Sequence, residues 1–398
     1  MRSAVLTLCL FLASPALAVD FFVDVTTDGT DALPGNGACA DGAGQCPLRA
    51  AIQEANELAG PDNVFLNEGL YLLTIKRDDD LPDDETGDLD VMSEISVFGA
   101  GQEGSCDGIG CTAIDGKKAK DRVFDVHAPA GDILLEDLSV RNGKAAKDDS
   151  NDTQVDEVSG GCIRVGGELH LDNVVVERCK SPDDGGCIGF TDGSNGDFFE
   201  TFLDRCKTKD SGGGIEVDLA TLSADRVTIA NSKAGEGGGI ETTGGTLDLR
   251  NLTFSRNKAK AGGGLSSESD AAVSVNNATF FDNQAKEGAS IRGDDSSQFT
   301  PIAVSNSLVR TGGKELNCFG PVDSQGGNLD NGVTCDFECS DCNPSIVSDL
   351  LDNGGAVPTH AIDADSEAIN NGVDLTCEPT DARGFARNGV CDSGAYEF

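Results

Sequence analysis

The 398-residue sequence contains no tryptophan, and it has only two tyrosines, two methionines and three histidines. So few large rings make the chain a weak candidate for stacking bases or sugars on its surface. Basic residues are also scarce, because 29 Lys and Arg stand against 69 Asp and Glu, for a net charge of −40. A surface of this sign repels nucleic acid and anionic membranes, so we expect no nucleic-acid partner.

Long apolar runs are missing except at the N-terminus. There Arg2 precedes an apolar stretch that ends in Ala16-Leu17-Ala18, a small-residue cleavage site. The run is too short for a membrane span and polar sequence follows it at once. We therefore predict a signal peptide over residues 1–18, cleavage after Ala18, and a secreted protein with no transmembrane segment and no lipid anchor.

Cysteine is the exception to this scarcity, with 15 in the chain, of which Cys9 leaves with the signal peptide. The even number that remains favours a full set of disulfides in a secreted protein. Local spacing predicts three pairs: Cys39–Cys46, Cys106–Cys111 and Cys377–Cys391. For Cys318, Cys335, Cys339 and Cys342 we expect a structural disulfide cluster rather than a metal or redox site, with the pairing open.

Glycine is plentiful and recurs with a period. Glycines come just before six apolar residues that are 25 to 27 positions apart, as pairs or triplets in the first five cases and singly in the last: Ile163, Ile188, Ile215, Ile240, Leu265 and Ile291. Each unit holds three short β-like runs joined by turn residues, as "GIET", "TLDLR" and "LTFSRN" show. This is the pattern of one coil of a parallel β-helix, in which each coil repeats the same glycine corner. A β-sandwich does not explain the spacing.

The period also aligns two further sets of equivalent residues, one from each coil, which we call columns. One is apolar and interior: Val176, Leu203, Ile229, Phe254 and Phe280. Three residues later comes a polar turn column, in which Asn suits a left-handed conformation and can bond to the next coil: Cys179, Cys206, Ser232, Asn257 and Asn283. Because equivalent positions of neighbouring coils are close, we predict the disulfides Cys162–Cys187 and Cys179–Cys206.

The ends of such a stack need covers. "CPLRAAIQEANELAG" is the one convincing helix, with Leu48, Ala51, Ile52, Ala55 and Ala59 on one face. The prediction is an all-β, single-stranded right-handed parallel β-helix with an N-terminal helical cap and a disulfide-rich C-terminal region. Its parts are a cap at 19–60, coils at 61–311 and a Cys-rich region at 312–398.

Both ends of the chain resemble known sequences. "GACADGAGQCPLRAAIQEAN" at 37–56 resembles the CSLREA-type N-terminal motif of secreted bacterial right-handed β-helix proteins. The tail, "DNGGAVPTHAIDADSEAINNG" followed by "DARGFARNGVCDSGAYEF", is similar to the choice-of-anchor Q domain. The coil letters GGGI and FSRN resemble, more loosely, repeats of polymorphic outer-membrane proteins. The resemblance implies a pectin-lyase-like fold and a place outside the cell or on a bacterial surface, associated with the outer membrane; it assigns no reaction.

Basic residues flank the polar turn column and form a stripe along the coils: Arg178, Lys180, Arg205, Lys207, Lys233, Arg256 and Lys258. Stacked like charges repel each other, so the stripe needs a reason. Either each charge pairs locally, with Glu177 and Asp204 adjacent, or the stripe binds an anionic glycan or cell-surface polymer.

The acidic segment "RDDDLPDDETGDLD" offers hard oxygen ligands for Ca²⁺ through Asp78, Asp79, Asp80, Asp83 and Asp84, although a solvated acidic loop is the alternative. No compact catalytic signature stands out, and His127, His170 and His360 lie far apart in the sequence. We expect a monomeric, non-catalytic secreted or surface-associated protein, adhesin-like or matrix-forming, with no required cofactor. The alternative is a polysaccharide lyase or glycoside hydrolase.

Overall fold

The computed structural model describes residues 17–78, 85–102, 110–145, 159–294, 300–312, 316–346 and 349–398. Within them, short strands follow one another around a common interior, and each strand pairs in parallel and in register with the equivalent strand of the next coil. Three sheets result, and apolar side chains of all three form one continuous core. The all-β class and the parallel stacking are therefore confirmed.

Most strands of sheet 1 begin just after a glycine corner. Its strands are β4 (Leu89–Val91), β7 (Phe124–Val126), β9 (Ile163–Val165), β11 (Ile188–Phe190), β14 (Ile215–Asp218), β17 (Ile240–Thr243), β20 (Leu265–Glu268), β23 (Ile291–Arg292) and β26 (Cys318–Phe319). Sheet 2 comprises β1 (Asp20–Phe22), β2 (Asp62–Phe65), β5 (Glu94–Phe98), β12 (Asn195–Phe199), β15 (Thr221–Asp225), β18 (Thr246–Arg250), β21 (Ala272–Asn276), β24 (Ile302–Ser305) and β27 (Val322–Ser324).

Sheet 3 contains β3 (Gly69–Leu72), β6 (Thr112–Asp115), β13 (Phe202–Asp204), β16 (Thr228–Ala230), β19 (Thr253–Ser255), β22 (Thr279–Phe281), β25 (Leu308–Arg310), β28 (Leu329–Asp330) and β29 (Cys339–Ser340). Two long strands, β8 (Asp132–Arg141) and β10 (Glu168–Glu177), pass from sheet 2 into sheet 3. They bend at Asp137 and Asn173, whose φ angles are positive. Paired strands continue to Ser340, beyond the point where the sequence period fades.

The recurring glycines serve two purposes at each corner. The first glycine of each group has a positive φ, for example 66° at Gly212 and 54° at Gly237. The second lies against the next coil, since a Cβ on Gly213 would come within 2.2 Å of the Gly238 carbonyl oxygen. The prediction that each coil repeats the same glycine corner is confirmed, and the corner leaves no room for a Cβ.

The polar turn column is buried and bonds from coil to coil. The Ser232 amide donates to Asn257 Oδ1 and the Asn257 amide to Asn283 Oδ1, both at 2.9 Å. In the interior column the Phe254 and Phe280 rings stack with centroids 4.6 Å apart. One detail of the prediction is wrong: the left-handed residue is the one before the column, such as Arg205 or Arg256.

The structure corrects two predicted disulfides. Cys162 pairs with Cys179, and Cys187 with Cys206, so each bond lies within a coil. Equivalent residues of stacked coils have parallel side chains about 4.8 Å apart, whereas a disulfide needs Cβ atoms about 3.5–4.5 Å apart. Residues of the corner column and the turn column face each other, with Cα atoms 5.4 and 5.2 Å apart.

The remaining cysteines follow the local pattern. Cys39–Cys46 and Cys377–Cys391 are bonded as predicted. The open set resolves into Cys318–Cys335 and Cys339–Cys342, which confirms a structural cluster. Cys111 is disulfide-bonded, but Cys106 lies outside the described residues, so Cys106–Cys111 stays a prediction.

The predicted helix forms as α1 (Leu48–Glu57) and contacts β2, β4 and β5. Leu48, Ala51, Ile52 and Ala55 are buried as expected, whereas Ala59 lies beyond the helix and is exposed. Arg49 is buried as well, and it donates to Asp28 Oδ1 at 2.9 Å and to backbone carbonyls of the 87–88 turn.

The C-terminal residues lie along the outer face of sheet 3. Thr228 donates to the Pro358 carbonyl at 2.8 Å, and the Ala395 amide donates to Thr279 Oγ1 at 2.9 Å. His360 is buried there with Nε2 2.9 Å from Ser255 Oγ. This segment therefore covers one of the three outer faces.

Candidate functional site

The flanking lysines form a regular column on the turn between sheet 3 and sheet 1. Backbone bridges link Lys144 to Lys180, then in turn to Lys207, Lys233 and Lys258, so the five occupy the same position in consecutive coils. We call these five residues the lysine column. All are exposed, while the turn residue before each is buried. This is expected where successive side chains of an extended backbone point to opposite sides. Adjacent members are about 4.8 Å apart along the stack.

The lysine column forms no ion pair with a carboxylate in the part of the chain that the structure describes. Among the described residues, every ion pair within 4.0 Å involves an arginine or a histidine, and none involves a lysine. Lys258 Nζ donates to Gln284 Oε1 at 3.2 Å, a neutral acceptor. A line of uncompensated positive charge on a chain of net charge −40 is the feature that separates this edge from the rest of the surface.

At its N-terminal end the lysine column borders a groove of about 400 Å³. Among the described residues, its lining combines five lysines with small and uncharged residues and includes no carboxylate: Lys120, Lys144, Ala145, Lys180, Ser181, Pro182, Lys207, Thr208 and Lys209. A concave surface of one sign focuses the electrostatic field and attracts oppositely charged groups. The groove can therefore hold several carboxylate, sulfate or phosphate groups at once.

The arginines of the predicted stripe behave differently. Arg178 pairs with Glu177 at 2.9 Å, and Arg205 pairs with both Glu177 and Asp204, at 3.3 and 2.6 Å. Arg256 pairs with Asp349 and stands over the Phe281 ring. Local pairing, one of the two explanations for the stripe, holds for these arginines, which leaves the lysines as the available charge.

Sequence reasoning missed Lys144, Lys120 and Lys209. Lys144 follows Val140 by four residues, as Lys180 follows Val176, and the register pairs Val140 with Val176. The spacing from Lys144 to Lys180 is longer than one period because of the segment 146–158, which lies outside the described residues. A lysine four positions after an interior apolar residue is the sequence pattern that could have identified Lys144.

The other sequence-predicted sites have different outcomes. Asp78 is exposed, and its amide donates to Thr86 Oγ1 at 3.2 Å, while Asp79, Asp80, Asp83 and Asp84 lie outside the described residues. The Ca²⁺ site thus stays a prediction. The histidines do have acidic neighbours: His127 Nε2 is 2.6 Å from Asp90 Oδ1, and His170 lies beside Asp132 and Glu168.

A second group of charges lies on sheet 1. Glu241 is only 2% exposed and accepts from Thr243 Oγ1 at 3.1 Å. Burial, reinforced by the Glu268 carboxylate, raises the pKa of Glu241 to about 8. Arg292 bridges Glu236 and Glu268 nearby.

Comparison with models of known protein families gives no match, and comparison with curated proteins finds no relative of this chain. Functional inference therefore depends on the residues themselves. None of the helices in the described part of the chain has the length and apolar character needed to cross a membrane.

Proposed function

We propose that this is a non-catalytic secreted or cell-surface-associated protein, adhesin-like or matrix-forming, that binds an anionic glycan or surface polymer along the lysine column. The observation that carries the proposal is the repetition of an unpaired, exposed lysine over five coils. A polymer with regularly spaced negative groups can contact several of them together. Each exposed contact contributes about 0–1 kcal/mol, so useful affinity requires many contacts acting at once.

The choice of lysine over arginine fits this role. An arginine fork binds carboxylates in a fixed bidentate geometry, whereas a lysine ammonium is a point charge on a flexible stem. The arginines on the same turn are neutralised by Glu177, Asp204 and Asp349. The lysines are therefore suited to a flexible ligand whose anionic groups vary in position.

Location and architecture support the same proposal. The disulfides fit an oxidising compartment, and the N-terminal run has the pattern of a signal peptide. We also propose that the coils wind right-handed and that α1 serves as the N-terminal cap, since it contacts β4, the first strand of sheet 1. A cap there would cover strand edges that otherwise template aggregation.

The test compares two double variants with the same change of charge. K180S/K207S removes two members of the lysine column, and K76S/R250S removes two basic side chains outside it, one of them at the end of β18 on sheet 2. Binding to polygalacturonate and to heparin is measured by calorimetry, with dextran as a neutral control. We expect K180S/K207S to weaken binding about tenfold and to reduce its salt dependence, while K76S/R250S stays within about twofold of the parent.

Equal losses in the two variants would mean that only net charge matters, and the lysine column would not be a site. Binding that neither variant changes would also contradict the proposal. Circular dichroism of both variants checks that the coils remain folded.

A carbohydrate-active enzyme is the second candidate, favoured by one observation. Glycoside hydrolases require an acid whose pKa is raised beside a second carboxylate. Glu241, near Glu268, has such a pKa. If the parent releases new reducing ends or unsaturated sugars, and E241Q does not, the protein is an enzyme; the non-catalytic proposal requires that no such products form.

A further inference from the structure

A second groove, of about 380 Å³, lies on the outer face of sheet 2 near the N-terminal end of the stack. Its lining includes Glu94, Asp132, His170, Asp172 and Asp197, and His170 is the one basic side chain among the described residues that line it. It lies on a different face from the lysine column and has the opposite charge. A groove of this kind attracts cations rather than anionic polymers.

Strand register brings a histidine and two carboxylates together at one end of this groove. Glu168 and His170 are two residues apart on β10, so their side chains leave the same face of the strand. Asp132 on β8 is the register partner of Glu168. The His170 ring nitrogen and one oxygen from each carboxylate all lie within 4.8 Å of one another.

The distances in this cluster are those of metal ligands rather than of hydrogen bonds. His170 Nε2 is 3.5 Å from Asp132 Oδ1 and 3.7 Å from Glu168 Oε2, beyond the usual hydrogen-bond range of about 2.7–3.2 Å. Ligands at about 2.1 Å from a tetrahedral zinc ion are about 3.4 Å apart. Small side-chain adjustments would therefore bring all three atoms onto one ion.

The other histidine–carboxylate cluster provides a contrast within the same protein. His127 Nε2 is 2.6 Å from Asp90 Oδ1, a closed hydrogen bond. Asp125 beside it is bound by Arg122 at 2.9 Å and by Arg164 at 2.8 Å. Two guanidinium groups already neutralise that cluster, and a cation would have to displace them.

We propose that Asp132, Glu168 and His170 bind a divalent transition-metal ion, for which Zn²⁺ is the best fit. One imidazole nitrogen with two carboxylate oxygens is a ligand set that suits zinc better than the all-oxygen ions Ca²⁺ and Mg²⁺. Three protein ligands leave a fourth position on a tetrahedral ion. That position can be taken by water or by an anionic group of a ligand.

The test uses the full secreted chain after dialysis against a chelator. Titration with Zn²⁺ by calorimetry should give one site per chain, and Co²⁺ in its place should produce the visible absorption of a four-coordinate N/O site. H170Q should weaken Zn²⁺ binding at least tenfold and abolish the Co²⁺ band. The matched control, H127Q, removes a histidine from the other cluster and should leave both signals unchanged.

D132N is a second variant that keeps the histidine and should weaken binding to a similar extent. His170 is 40% exposed, so its replacement should leave the coils intact, and circular dichroism checks this. Zinc binding that is the same in the parent and in H170Q would overturn the proposal. So would loss of binding in H127Q, or displacement of Zn²⁺ by an equal concentration of Mg²⁺.

Discussion

At the scale of residues, neighbouring positions on one turn differ in whether they form ion pairs. Arg178 takes the left-handed conformation and pairs with Glu177, whereas Lys180, two residues later, is exposed and forms no ion pair with any described carboxylate. The difference repeats at Arg205 and Lys207. Composition alone could not separate the two, because the pairing depends on the backbone conformation of each turn residue and on which carboxylates stand beside it.

Glu241 gives a residue-scale prediction about pH. Its pKa is about 8 in the folded protein against about 4.5 for a free glutamate, so the folded state holds more protons between these values. The free energy of unfolding contributed by this group therefore falls as pH rises from about 4.5 to 8. In urea unfolding measured between pH 5 and 8.5, the free energy of unfolding of E241Q should fall less steeply with pH than that of the parent.

The matched variant for this measurement is E287Q, which changes an exposed glutamate. It should keep the pH dependence of the parent. Identical slopes in the parent and in E241Q would show that Glu241 ionises freely in the folded chain.

At the scale of elements, the sequence period predicted the coils, the corners and the coil-to-coil bonds of Asn257 and Asn283. Those features depend on local spacing, which the sequence contains. The pairing of Cys162 with Cys179 depends on which columns face each other across the interior, and the period does not state that. The Zn²⁺ candidate was also hidden, because Asp132 and His170 meet only through the register of β8 and β10.

The disulfide assignment can be checked directly. Peptide mapping under non-reducing conditions should recover Cys162 linked to Cys179 and Cys187 linked to Cys206. Replacing Cys187 and Cys206 together with serine should lower the free energy of unfolding by about 3 kcal/mol, as expected for a loop of this length. Recovery of a Cys162–Cys187 peptide would contradict the arrangement.

The corner glycines give a second prediction at this scale. G213A places a Cβ within 2.2 Å of the Gly238 carbonyl oxygen and should destabilise the protein by about 1–3 kcal/mol, because the backbone of the next coil must move. G42A is the control, since its φ is not positive and nothing lies within 4 Å of the added Cβ. Similar free energies of unfolding for the two variants would mean that the corner tolerates a side chain.

At the scale of the whole molecule, the outer surfaces are unequal. The C-terminal segment covers sheet 3 through contacts such as His360 with Ser255. Sheet 2 carries the acidic groove, and the turn between sheets 3 and 1 carries the lysine column. The lysine column thus gives a strongly acidic molecule a basic edge that forms no ion pair with the described carboxylates, and this edge is where a polyanion can approach.

The most direct test is to measure the reactivity of each lysine with an acetylating reagent, by mass spectrometry, with and without polygalacturonate or heparin. We predict that Lys144, Lys180, Lys207, Lys233 and Lys258 become several-fold less reactive together, while Lys76 does not change. Protection spread evenly over all lysines, or no protection of the lysine column, would contradict it.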